Sequence, residues 1–181
     1  MVRTSTRDEI LSVAAEQFAH SGFKGTSLQD IAARVGCSKA TLLYHFASKE
    51  AIFAEMLAPA AREFAELSAG FAALDDRAAQ AAAIEGFVDL VLRYRREISL
   101  IYDGTAQFLQ EPAFEFLLPL TEDLCSVFAA RSTDPATRLA AEVVLAGIVT
   151  VAIDKDDEGL REALIGVAKR ALITPIPHDK D

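Results

Sequence analysis

Residues 26–50 read TSLQDIAARVGCSKATLLYHFASKE, and their spacing predicts two short helices meeting at a tight corner. Ser27 and Asp30 stand three apart, the spacing of a reciprocal helix cap. Behind them Leu28, Ile31, Ala32 and Val35 recur at i, i+3, i+4 and i+7, one apolar stripe on a helix. Gly36 ends that helix, because glycine takes the left-handed conformation a sharp exit requires at no steric cost. Ser38 caps a second helix, Lys39 to about Phe46. A small residue at Ala32 lets the two helices approach, Gly36 makes the turn, and Leu42 locks the corner from the second helix.

Working outward, Thr6 and Glu9 predict a capped start for the preceding helix. Its apolar face is Ile10, Leu11, Ala14, Ala15 and Phe18, and Ser21-Gly22 ends it before the link Gly22–Gly25. Downstream, Ser48 caps a fourth helix with the stripe Ile52, Phe53, Met56, Ala60, Phe64 and Leu67. Further helices are expected over 77–96, 97–110, 113–131, 135–153 and 156–173, with Pro119 kinking the third of these or marking a shifted boundary. The Asp156-Asp157-Glu158 run reads as a solvated helix start, where acids favour the dipole. The tail 174–181 is expected to fray. No strand-like alternation and no repeat interrupts this pattern. The reading is an all-α chain, with a three-helix head over 3–63 and a helical body over 64–181.

The chain has 181 residues, half of them hydrophobic and a quarter charged, the balance of a soluble globular protein. Its net charge of −9 is unevenly distributed. Residues 1–49 hold six Lys/Arg against four acids, a net of +2, whereas the remainder carries −11. A mildly basic head on an acidic body would approach a polyanion head-first. Cys37 and Cys125 have neither framework nor metal spacing. The opening MVRTSTRDEI has no apolar export core, and the strongly apolar run Val143–Ile153 is too short to cross a bilayer. A cytoplasmic location and no membrane partner are therefore expected. Neither catalytic nor cofactor fingerprints occur, and the histidines His20, His45 and His178 avoid the body, so no enzyme, metal or cofactor is expected.

Lys39, Ala40 and Thr41 fall in the first turn of the second corner helix, where a recognition helix presents side chains to the major groove. Thr26 and Ser27, at a helix N-terminus, suit phosphate or serve only as caps. Tyr44, His45 and Lys49 are further donors. The segments 26–32, 36–46 and 48–50, with Phe18–Phe23 before them, resemble the signature of the tetracycline-repressor family. That resemblance covers roughly residues 6 to 57. It implies base contacts from Lys39, Ala40, Thr41 and Tyr44, and phosphate contacts from Thr26, Ser38, His45 and Lys49. Leu43 departs from the family's usual tyrosine, Ala40 from its frequent glycine, and Cys37 from its valine.

The resemblance further implies a homodimer built through the last two helices, a ligand pocket in the middle ones, and a double-stranded DNA operator as partner. The expected function is a ligand-responsive repressor released from a near-palindromic operator by a small, apolar or aromatic ligand. Phe87, Tyr94, Tyr102, Phe108, Thr121 and Cys125 are candidate pocket residues, the aromatics reading equally as core. The small and β-branched residues of 140–151, and the stripe Leu160, Ala163, Leu164, Val167, Ala168, Ala171 and Leu172, suit a four-helix seam with a twofold mate. Two alternatives stand beside this: a helical dimer that has lost DNA binding, and a regulator sensing a protein or the oxidation of Cys37.

Overall fold

The computed structural model describes residues 5–102 and 117–173. These form α1 (Thr6–Gly25), α2 (Leu28–Val35), α3 (Lys39–His45), α4 (Lys49–Phe71), α5 (Asp76–Arg93), α6 (Arg95–Tyr102), α7 (Leu117–Phe128), α8 (Pro135–Asp154) and α9 (Leu160–Leu172), with no strand among the described residues. The chain divides into two compact units, Met1–Pro59 with Arg96–Glu115, and Ala60–Arg95 with Phe116–Asp181. They are called head and body below.

The head closes around side chains that the helical stripes supply. Ile10, Ala14 and Phe18 of α1, Ile31 and Ala32 of α2, Leu42 of α3, and Ile52 and Phe53 of α4 are all fully buried. Phe18, Phe23 and Phe53 form a ring cluster with centroids 5.0 to 6.0 Å apart. Such aromatic pairs add about 0.5–1.5 kcal/mol each beyond simple burial. Gly22 breaks α1 with φ +71°, and Gly36 ends α2 with φ +80°. The second is the exit the corner needs, since Gly36 and Cys37 both donate to the Ala32 carbonyl at 3.0 Å. The first cap lies one residue earlier than expected. Ser5 caps α1 through the Asp8 amide and carboxylate at 3.2 and 3.3 Å. Both Ser5–Asp8 and Thr6–Glu9 have cap-box spacing, and the earlier choice gains one helical hydrogen bond, from the Glu9 amide to the Ser5 carbonyl.

In the body, α5 packs against α7, α8 and α9. Gln80 is buried inside it, and its amide donates to the Phe128 carbonyl at 2.6 Å, which satisfies an acceptor at the end of α7. Asp89 and Arg161 form a two-point pair at 2.5 and 2.8 Å, and Lys169 pairs with Glu85, tying α9 to α5. Pro119 lies two residues after the first described residue of α7, Leu117. Residues 103–116, which hold parts of two expected helices, lie outside the described residues, as does the tail.

Two expectations are corrected in the body. The acidic run 156–158 lies in the loop before α9. Gly159, at φ +82°, precedes that helix, and Asp156 pairs with Arg95 at 2.5 Å. The apolar stretch around Val143–Ile153 belongs to the 20-residue helix α8, which by length and composition is long enough to cross a membrane. Val143–Ile153 is only the most apolar part of that helix. Most of α8 is uncovered within this chain, and Leu139 and Val143 are over half exposed.

Candidate nucleic-acid interface

The corner fixes which face of α3 looks outward. Leu42 is fully buried, and Phe46, just past the helix, is nearly so. At about 100° per residue, Ala40 and Tyr44 then lie opposite Leu42, with Thr41 and Leu43 on the flanks. Lys39, Ala40, Thr41, Leu43 and Tyr44 are exposed, Tyr44 to 86%. His45 is half-buried, and its ring meets Tyr44 edge-on at 5.3 Å. Ser38 caps the helix by accepting the Thr41 amide at 3.0 Å, and its hydroxyl also meets that of Thr41 at 2.9 Å. No acid occupies the first turn. α3 thus offers a lysine and a threonine at its positive N-terminal end and two ring side chains in its last turn, a combination of donors and apolar contacts that base edges accept.

The start of α2 is built differently. Ser27 accepts the Asp30 amide at 3.2 Å, and its amide and hydroxyl donate to the Asp30 carboxylate at 3.0 and 2.6 Å. Those Ser27 bonds, the hydroxyl's first, hold the Asp30 carboxyl below its ordinary value. Ser27 stays exposed, and the Leu28 and Gln29 amides are the donors without an intrahelical partner.

Two expected phosphate contacts face elsewhere. Thr26 is 2% exposed, and its hydroxyl donates to the Gln17 and Gly22 carbonyls at 3.1 and 2.9 Å. Its amide reaches the Phe23 carbonyl at 3.4 Å, so neither donor is offered to a phosphate. Lys49 is half-buried, and its ammonium donates to the Phe23 and Thr26 carbonyls at 2.5 and 2.7 Å. It also lies 4.2 Å from the centroid of the Phe23 ring. Burial pushes the Lys49 amine below its ordinary pKa. Two further ties were invisible in the sequence. Arg7 lies 4.9 Å from the Phe46 ring centroid and pairs with Glu55 at 3.1 Å, and Arg34 pairs with Glu16 at 3.2 Å. Each joins residues at least 18 positions apart, beyond the reach of any periodicity.

Four pocket candidates, Phe87, Tyr94, Thr121 and Cys125, are scattered through the described part of the body. Phe87 is half-buried and meets Phe128 edge-on at 5.8 Å. The Tyr94 hydroxyl donates to Glu63 at 3.0 Å. Thr121 is exposed, and Cys125 is half-buried, with burial pushing its thiol pKa up. Phe108 lies outside the described residues, and of Tyr102 only the backbone at the end of α6 is described. A cleft of about 490 Å³ lies elsewhere, between α8 and α9, lined by residues including Val143, Gly147, Ile148, Val151, Leu160 and Leu164. None of the four described candidates, Phe87, Tyr94, Thr121 and Cys125, lines it. Among the described residues no three His, Cys, Asp or Glu side chains cluster as a metal site.

Comparison with known proteins adds four findings. Residues 10–56 match the profile of bacterial regulatory proteins, tetR family. The HTH-type transcriptional activator FasR of Mycolicibacterium smegmatis is 27% identical over 160 residues, 84% of this chain and 71% of that protein. The HTH-type transcriptional regulator RutR of Escherichia coli K12 is 36% identical over 95 residues, 52% of this chain but only 43% of RutR. In fold, the crystal structure of AibR in complex with isovaleryl coenzyme A and operator DNA superposes with a TM-score of 0.68. It covers 93% of this chain and 98% of that one at 20% identity.

Proposed function

We propose that this chain, whose residues 10–56 match the tetR family of bacterial regulatory proteins, is a homodimer of that type that binds a near-palindromic operator and releases it on taking up a small, largely apolar ligand. One observation carries the proposal: the outward face of α3, where Lys39, Ala40, Thr41 and Tyr44 stand exposed while Leu42 anchors the opposite side. Those four reach base edges, and Ser27, Ser38 and His45 contact phosphate. Residues 3–63 act as the DNA-binding domain and 64–181 as the ligand and dimer domain. Pairing with DNA places the protein in the cytoplasm.

The apolar cleft between α8 and α9, with Leu139, Val143 and Val167 over half exposed, supports dimerisation through those helices. A twofold mate laying its own pair there buries this surface in a four-helix seam. Two heads then read half-sites about one helical turn apart, roughly 34–36 Å. The ligand acts by binding the shape whose head spacing mismatches DNA. A hundredfold shift requires about 2.7 kcal/mol of differential affinity. Phe87 and Cys125, half-buried on the packed pair α5 and α7, contribute to its pocket. AibR, bound to both an acyl thioester and DNA, is the precedent for one fold holding both.

Occupancy of an operator that overlaps a promoter makes the protein a repressor. FasR, matched over most of this chain, is named an activator, which favours the opposite sign as the second reading. A promoter–reporter assay with and without the gene distinguishes them. The test of DNA binding is a gel shift with the segment upstream of the chain's own gene. The wild-type dimer retards it at low salt, Thr41→Ala and Tyr44→Ala do not, and unchanged binding by both variants contradicts the site.

A further inference from the structure

We propose that Lys49 is a positioning residue for DNA binding, fixing the N-terminus of α2 from inside the head instead of touching a phosphate. The inference deepens the DNA-binding reading and rests on it. An ammonium group carries three donors. Two of them are taken by the Phe23 and Thr26 carbonyls at 2.5 and 2.7 Å, and the group lies on the Phe23 ring. Both carbonyls belong to the segment just before α2, at the negative end of α1. With two donors and the ring contact committed to the interior, at most one N–H is left to turn outward.

What it holds is the peptide between Thr26 and Ser27. The oxygen of that peptide accepts from Lys49, and its N–H donates to the Asp30 carboxylate at 3.0 Å. With the two ends pinned, the plane cannot rotate. The Thr26 hydroxyl anchors the same residue to α1 through Gln17 and Gly22. The direction of the Leu28 and Gln29 amides follows from that plane, and these are the donors α2 offers outward. Lys49 is also the first residue of α4, so a shift of that turn pulls directly on the residues that aim α2. Desolvation of the amine, which lowers its pKa, agrees with a group committed to the interior.

Counterion release separates positioning from contact. Each phosphate contact adds about 0.9 to the slope of log affinity against log salt on duplex DNA. The full chain is used with a duplex that the wild-type protein selects from a random pool, and affinity is measured from about 50 to 300 mM salt. Lys49→Met is expected to weaken binding about tenfold or more at every salt with an unchanged slope, since the lost bonds are charge-assisted but internal. A slope reduced by about 0.9, or affinity equal to wild type, overturns the inference while leaving DNA binding intact. Failure of the wild-type chain to select any duplex removes the DNA-binding reading, and the inference with it. Should Lys49→Met not fold, lysine-labelled wild-type protein gives the answer by NMR. A protected Lys49 Nζ signal that persists on adding the duplex supports positioning, and a new coupling from that nitrogen to phosphorus overturns it.

Discussion

Head and body dispose of their apolar surface in opposite ways. Among the described residues of the head nearly every large apolar side chain is buried or half-buried, Leu43 and Tyr44 apart, and what faces water on α3 is a short array of donors and rings. In the body, the longest apolar helix leaves Leu139 and Val143 exposed, and its neighbour α9 leaves Val167 so. An isolated globular unit has no reason to leave that stripe uncovered. The described part of the head encloses its apolar side chains, whereas the body leaves a stripe exposed, the surface on which the proposed dimer rests.

Charging the body's stripe is the largest expected perturbation. Val143→Asp places a carboxylate in the proposed seam, where an unpaired buried charge costs several kcal/mol. The variant is expected to sediment as a monomer of 19.5 kDa and to lose DNA binding with its helical content intact. A dimer of unchanged stability would mean the seam lies elsewhere. Next comes the head's core. Leu42→Ala should cost about 2–5 kcal/mol, read as a lowered midpoint in urea, with the body's dimerisation unaffected.

Thr26 and Thr41 sharpen the contrast inside the head. Thr26→Val leaves the Gln17 and Gly22 carbonyls without their hydroxyl donor, and it should lower stability by about 1–3 kcal/mol. Thr41→Val should leave stability within about 0.5 kcal/mol while costing about 1–3 kcal/mol of discrimination between duplexes. Denaturation and duplex-binding curves on the same two samples check both, and an exchange of the two outcomes would reverse the assignment of which threonine faces DNA.

The smallest effect belongs to the pair Asp89–Arg161. The Arg161 hydrogen bond holds the Asp89 carboxyl below its ordinary value. A depressed carboxylate stabilises the fold above the unfolded value, and the contribution is lost as pH falls through the folded one. Because both side chains are over 40% exposed, Asp89→Asn is expected to cost less than about 1 kcal/mol at neutral pH. That difference should vanish in acid, below the ordinary carboxylate range. Urea midpoints of both proteins across pH test it.

The same contrast governs what was legible in the sequence. The corner was readable because Ser27, Gly36, Ser38 and Leu42 act within a few residues of one another, through caps, a left-handed glycine and helical spacing. The orientation of Thr26 and Lys49 was not, since it depends on contacts to Phe23, Gln17 and α1 that no local pattern encodes. A threonine and a lysine near a helix start look alike whether they face water or the core. In the body, the stripes of α8 and α9 were readable as helical faces, of which Ile148, Leu164 and Ala168 are buried and Val143 and Val167 exposed. The start of α9 was misplaced because three acids resemble a first turn until Gly159 and the Arg95 pair are seen. Pocket aromatics such as Phe87 share their pattern with core, and only spatial convergence tells the two apart.

Methylation protection of guanine N7, an atom exposed in the major groove, tests most directly the placement of α3 against base edges. On a duplex selected by the wild-type dimer, two protected patches are expected about one helical turn apart, and Thr41→Ala should remove both. Full affinity with no N7 protected in either half-site would contradict it.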